Sequence, residues 1–307
     1  MKQLSIDKYS FGRHETFALR YGWLTKGYQA WIENHEIFQS DEATIRLGVG
    51  KNMVNAIRYW LIASTLLEVG KSHLTSSHVA ALLMGCHGGD RYMEDEGTIW
   101  LIHWLIASNA QDATAFFWFF NRFHKTEFSS NELQESLRAF VSEQYGGQGS
   151  DKTLKNDISV LLRSYHRLAP SKSSPLEESL DSPLAELGLI HEVRHGHYAV
   201  QLRDRPTLPI EILGFAILSV MQAKNVDTLS IAELMHGDGY SAAPGAVFRL
   251  TEEALVEMLE RLSLHKSAQL SLRETAGIRQ VYFSGIADKN PTLYLIWFYG
   301  EAARLAA

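Results

Sequence analysis

The segment from Ser40 to Ser77 constrains this chain more than any other. Ser40-Asp41-Glu42 places a capping hydroxyl ahead of two acids, which complement the positive end of a helix dipole. A short helix beginning there must stop at Gly48-Val49-Gly50, where two glycines permit a tight turn. A second helix then runs from about Lys51 to Ser64 with two unlike faces. Val54, Ile57 and Leu61 recur on one side; Lys51, Asn55 and Arg58 recur on the other, with Asn52 and Tyr59 beside them. Glu68 to His73 reads as the start of a two-stranded wing. Short helix, glycine turn, amphipathic helix and hairpin together predict a winged helix-turn-helix inside an α+β chain that is mainly helical.

Such a unit suits duplex DNA. From Ala43 to Leu67 the cations are Arg46, Lys51 and Arg58, and no acid lies among them. Asn and Arg match adenine and guanine edges, while Lys and Arg also hold phosphates. The candidate DNA-binding residues are therefore Arg46, Lys51, Asn52, Asn55, Arg58 and Tyr59. The plainer alternatives are a solvated helix face or a module that binds protein. The 307-residue chain carries 29 basic and 35 acidic residues, a formal net charge of −6. That balance excludes wholesale coating of a polyanion and makes any nucleic-acid site a local patch.

Two prolines among serines, over Leu168 to Pro175, predict a linker. The expected domains are residues 1–172, carrying the winged helix-turn-helix with added helices, and residues 173–307, a winged-helix-like domain. In the second half Leu208–Met221 reads as an apolar helix and Thr228–Met235 as a second, capped one. Leu250–Glu260 reads as a third helix, and two alternating strands follow. The third helix carries Glu252, Glu253, Glu257 and Glu260, which would repel phosphates, so this domain reads as a scaffold or a partner-binding unit. Tyr294–Tyr299 is aromatic enough to suggest a homodimer, or else packing onto its own domain. One cysteine, Cys86, excludes a disulfide framework; its default role is that of a small buried residue. The N-terminus lacks the apolar region of a secretory signal. The longest apolar run, Thr98–Ser108, falls well short of the ~20 residues of a membrane span, so a cytoplasmic protein off the membrane is expected.

Two clusters have residues suited to chemistry. Asp90, Glu94 and Asp95, with His103 further on, are the residue types a Mg²⁺- or Mn²⁺-dependent nuclease needs, because hard cations take oxygen ligands and activate water. The alternative is that the acids favour the N-terminus of the helix near Thr98 and that His103 is a hydrogen-bonded core residue. His14 and Glu15, flanked by Arg13 and Arg20, would suit deprotonation of a water near a phosphate, or else the arginines pair with carboxylates while the neighbouring aromatics pack. His191, His195 and His197 match no standard zinc spacing and read as an exposed turn. No Walker-type loop, dinucleotide fingerprint or nucleophile elbow is present.

Several stretches together carry a family resemblance. They are Arg13–Phe17 with Gly22-Trp23-Leu24, Leu47–Val54 running to Tyr59-Trp60, and Asp90 with Tyr92, Glu94-Asp95, Thr98–Trp100 and His103. Ser182–Ile190 and Ala243–Leu250 extend it into the second half. The chain resembles the SspB-like proteins of bacterial DNA phosphorothioation systems. The resemblance implies a DNA-binding protein that nicks one strand of duplex DNA to help install sulfur. It further implies a role in phage defence beside a cysteine desulfurase, an ATPase and a sulfur-transfer enzyme. It brings no catalytic residues with it, and a non-catalytic DNA-binding adaptor or transcriptional regulator remains the alternative.

Overall fold

Local chemistry sets where the helices begin and end. The computed structural model describes residues 1–85, 88–147, 149–166, 182–265, 269–275, 277–284 and 289–300. Its first half opens with α1 (Trp23–Glu33) and α2 (Ala43–Leu47); Gly48, in the left-handed region at φ 60°, ends α2, and α3 (Lys51–Ala63) restarts after Gly50. A Cβ at Gly27 would lie 2.4 Å from Ile57 Cγ2, so glycine sets how closely α1 approaches α3. Strands β1 (Leu67–Val69) and β2 (Leu74–Ser76) form an antiparallel hairpin after α3, and Ser77 caps α4 (His78–Met84).

Helices α5 (Glu96–Ala107) and α6 (Thr114–Asn121) form the centre. Every residue from Gly97 to Ala107, and all of α6, is buried, which is why neither helix shows a polar face. β3 (Glu127–Ser129) leads into α7 (Ser130–Tyr145), whose start is a reciprocal Ser129–Glu132 capping box, and α8 (Asp151–Tyr165) follows.

The second half supplies β4 (His191–Arg194), β5 (His197–Ala199), α9 (Ile210–Lys224), β6 (Thr228–Ser230) and α10 (Ile231–His236). α11 (Pro244–Val247), α12 (Glu252–Leu264), β7 (Leu270–Thr275), β8 (Ile278–Phe283) and α13 (Thr292–Tyr299) complete it. The fold is thus α+β and mainly helical, with small antiparallel sheets ordered β3-β5-β4 and β6-β8-β7. The helix expected from Thr228 instead starts at Ile231. Thr228–Ser230 pairs with β8, and the Ser230–Glu233 capping box fixes the helix start after it.

The halves meet closely. β3 of the first half hydrogen-bonds to β5 of the second, Asn121 Oδ1 accepts the Ala243 N–H at 2.9 Å, and Arg249 donates to the Phe119 carbonyl at 3.0 Å. The aromatic stretch of α13 packs onto its own chain. A Cβ at Gly214 of α9 would lie 2.4 Å from the Tyr294 ring, and one at Gly97 would lie 2.4 Å from Phe298. The surface that suggested self-association is therefore largely covered from within. The expected linker at 168–175 and Cys86 lie outside the described residues. Among the described residues, no helix is long and apolar enough to cross a membrane.

Candidate nucleic-acid interface

Helix α3 buries Val54, Ala56, Ile57, Trp60 and Leu61 and leaves Lys51, Asn52 and Asn55 exposed, with Arg58 half-buried. The buried side anchors the helix, so the polar side is held in a fixed orientation toward solvent. No acid stands in its first turn, where free backbone N–H groups favour an anion. Two of the residues expected on this face differ. Arg46 is ion-paired with Glu33 of α1, an exposed pair that leaves it less available to a phosphate. Tyr59 is only 8% exposed, with its ring edge-on to His14 at 5.7 Å, so it lies beneath the polar face instead of on it. Burial pushes the Tyr59 hydroxyl well up, keeping it neutral.

The segment before α1 is folded against α3, and the two together line a cleft of about 390 Å³. Arg13 and Glu15 stand on one wall, Asn55, Arg58 and Tyr59 on another, and Asp112 contributes a second carboxylate. The loop is pinned from below. Thr16 N–H donates to His14 Nδ1 at 3.1 Å, which leaves His14 Nε2 as the donor to Asp157 Oδ1 at 3.1 Å. Asp157 also accepts the Gly12 N–H at 2.9 Å, and Arg163 donates to the Thr16 carbonyl. Glu15 and Thr16 hold φ values of 51° and 67°, a left-handed conformation that non-glycine residues seldom adopt without surrounding restraint.

His14 is therefore a positioning residue. It is wholly buried and both its nitrogens are engaged, so it has no lone pair to offer a water; Glu15, next in the chain, faces the cleft. Sequence reasoning missed Asp112 and Asp157. Asp157 had a signal: an acid within the apolar stripe formed by Leu154, Ile158 and Leu161 of α8, where only a partnered carboxylate is tolerated. Asp112 is held by Asn109 Nδ2 at 3.2 Å, three residues before it, and by Lys2, 110 residues away, which no local pattern in the sequence signals.

The second cluster does not assemble. Asp90 accepts the Glu94 and Asp95 N–H groups, each at 3.0 Å, and Asp95 accepts the Gly97 N–H at 2.7 Å as the N-cap of α5. These carboxylates serve the backbone turn and helix start; Glu94 is exposed. His103 is wholly buried in the core: Nε2 donates to the Val247 carbonyl at 2.9 Å and Nδ1 accepts from the Tyr165 hydroxyl at 2.8 Å. Burial takes its pKa down to about 3, so the imidazole is neutral. His103 is a core residue and not a partner of the acids. Among the described residues, no group of three or more His, Cys, Asp or Glu is placed to hold a metal ion.

No curated protein matches the sequence. The chain is similar to two crystal structures of SspB, one of them magnesium ion-bound. Each is 28% identical to it with a TM-score of 0.85, over 97% of this chain and 90% or 91% of the SspB chain. A family model described as Protein of unknown function (DUF4007) matches residues 11–299, so this SspB-like chain belongs to that family.

Proposed function

We propose that this chain binds duplex DNA and nicks one strand as part of a phosphorothioate modification system. The observation that carries the reading is the cleft in which the exposed face of α3 meets Arg13 and Glu15. In this reading α2, α3 and the β1–β2 hairpin act as a winged helix-turn-helix, with α3 in the major groove. Lys51 and Arg58 hold phosphates, and Asn52 and Asn55 reach base edges. The second half forms a winged-helix-like scaffold from α9, α10, α12 and the β6-β8-β7 sheet, open to the desulfurase, ATPase and sulfur-transfer partners that the SspB likeness suggests. A task on chromosomal DNA would be carried out in the cytoplasm.

The chemistry is assigned to the cleft. Arg13 and Arg58 flank a space in which a backbone phosphate is held between two cations, and Glu15 lines the same cleft. Magnesium usually accepts one or two carboxylates and completes its shell with water and phosphate oxygens. Glu15 suits that sparse ligation; Asp112 is already held by Lys2 and Asn109, and Asp90 and Asp95 by backbone N–H groups. A bound Mg²⁺ or Mn²⁺ would neutralise charge on the phosphate and acidify its bound water. The loop geometry that Asp157 and His14 impose keeps Glu15 in place for this.

Supercoiled plasmid incubated with Mg²⁺ or Mn²⁺ tests the reading. The wild-type chain should convert it to open circles and Glu15→Gln should lower the rate by about 100-fold or more, the scale of a lost acid–base or ligand carboxylate. A DNA-binding adaptor without chemistry is the second reading, favoured by the engagement of both His14 and His103. A plasmid that stays supercoiled at every metal concentration, while still being retarded in a gel, would establish it.

A further inference from the structure

A second cavity, of about 440 Å³, lies where the halves meet, and the proposed nicking does not use it. Its walls include His124 and Lys125, which follow α6, Leu202 beyond β5, Met235 and His236 at the end of α10, and Arg249. Among the described residues, no carboxylate lines it. Arg249 is 6% exposed; one Nη donates to the Phe119 carbonyl, and the guanidinium lies over the Phe119 and Phe120 rings at 5.3 and 5.2 Å. Its Nε is buried without a partner, and no carboxylate among the described residues stands within ion-pair distance of it. Arg205, also buried, donates to the carbonyls of Phe248 and Gln201 and likewise leaves Nη1 unpartnered. Burial and then Arg205 bring the Arg249 pKa down to about 10, which still leaves it charged at neutral pH. Burial, Arg249, His236 and Arg122 together hold His124 below the usual imidazole range.

A guanidinium buried beside another cation with no counter-charge is costly, and a site built that way lacks an anion. Lys125 is the one cation on the wall that already reaches an acid, Glu132, at 3.5 Å across an exposed surface. We propose that this cavity binds a phosphomonoester. Arg249, His124, His236 and Lys125 receive the phosphate, and Leu202 and Met235 contact the apolar body that carries it. Arg249, His124, His236 and Lys125 around one cavity supply more donors than the two oxygens of a carboxylate need, and suit the three terminal oxygens of a dianion better. The volume is that of a small-molecule site. Two sources share this chemistry: a free nucleoside monophosphate and the 5′-phosphorylated end of a DNA strand. The site has no residue in common with the α3 cleft, so its failure and that of the nicking reading are separable.

Isothermal titration of the full chain with dTMP, with 5′-phosphorylated thymidine dinucleotide, with thymidine and with benzoate tests the assignment. Binding of dTMP in preference to the dinucleotide identifies the free nucleotide; the reverse identifies the strand end; either supports the site. The double variant His124→Asn, His236→Asn should bind the preferred probe about tenfold more weakly, the cost of a lost charge-assisted hydrogen bond, with its melting temperature unchanged without ligand. Arg249→Met should abolish binding, and the histidine variant keeps the test decisive if that protein fails to fold. Absence of binding of both phosphate probes at millimolar concentration overturns the proposal. So does thymidine or benzoate binding as tightly as dTMP, or wild-type affinity in the double variant.

Discussion

Helices α3 and α12 hold corresponding places in the two halves, each following shorter helices and preceding a β-hairpin, yet they present opposite charge. α3 exposes Lys51, Asn52 and Asn55 with Arg58 at its edge; α12 exposes Glu252, Glu253, Glu257 and Glu260. Both bury an apolar face of similar make-up, so burial does not distinguish them. What differs is what the free side admits. A phosphate backbone would be attracted to the first and repelled by the second, and the first is joined by a loop that brings Arg13 and Glu15 to its flank. A shared architectural plan therefore says little about ligand; the outward residues of one helix decide it.

The largest expected effect breaks this contrast directly. Lys51→Ala with Arg58→Ala should weaken duplex retention by about 100-fold at moderate salt and flatten the salt dependence by about two phosphate contacts. Glu252→Ala with Glu257→Ala should leave retention unchanged or improve it slightly. Gel-shift titrations at several salt concentrations read both. Equal losses from the two pairs would mean that α3 has no special standing.

The α3 element was legible because its signals are local. Gly48 and Gly50 bracket the turn, the apolar spacing fixes the buried face, and the helix expected from Lys51 to Ser64 spans Lys51–Ala63. The cleft was only half legible. His14 and Glu15 stood out as a polar pair, but their neighbour on α3 and the carboxylate beneath them are set by tertiary packing; His14 and Asp157 are 143 residues apart. The acidic run from Asp90 admits both a metal motif and a helix cap because capping and metal binding call on the same residue types. Only geometry separates a carboxylate accepting backbone N–H groups from one facing an open site.

A mid-sized effect tests whether the contrasted halves act as one body. His103 on α5 joins them, accepting from Tyr165 of the first half and donating to Val247 of the second. Its pKa is about 3 in the fold against about 6.5 unfolded, so between those values the unfolded chain binds the extra proton. Stability is then fully present above about pH 6.5 and falls as pH drops toward 3, at about 1.4 kcal/mol per unit, or about 2 kcal/mol by pH 5. Urea unfolding at pH 7 and pH 5 should show this loss, and His103→Gln, starting from lower stability, should show a shallower decline. An identical decline in the variant would assign the acid sensitivity elsewhere.

The smallest effects separate the two helix crossings. Gly27 lets α1 approach Ile57 and Leu61 of α3, and Gly214 lets α9 approach Tyr294 of α13. Alanine at either position gains about 1 kcal/mol of helix propensity but overpacks the crossing by about 1–3 kcal/mol. At Gly27 the new methyl meets Ile57 Cγ2 at 2.4 Å and Leu61 Cδ1 at 2.9 Å; Ile57 is β-branched and wholly buried, so its methyl cannot swing away and α3 itself must shift. At Gly214 it meets the buried Tyr294 ring at 2.4 and 2.5 Å, which likewise forces the helices apart. Gly214→Ala and Gly27→Ala should therefore each destabilise the chain by about 1–2 kcal/mol. Their functional signatures should differ. Gly27→Ala displaces α3 and should weaken duplex binding several-fold, whereas Gly214→Ala should leave duplex binding intact despite a similar melting shift. Duplex affinity that followed melting temperature in both variants would mean that α3 is held by the fold at large and not by its contact with α1.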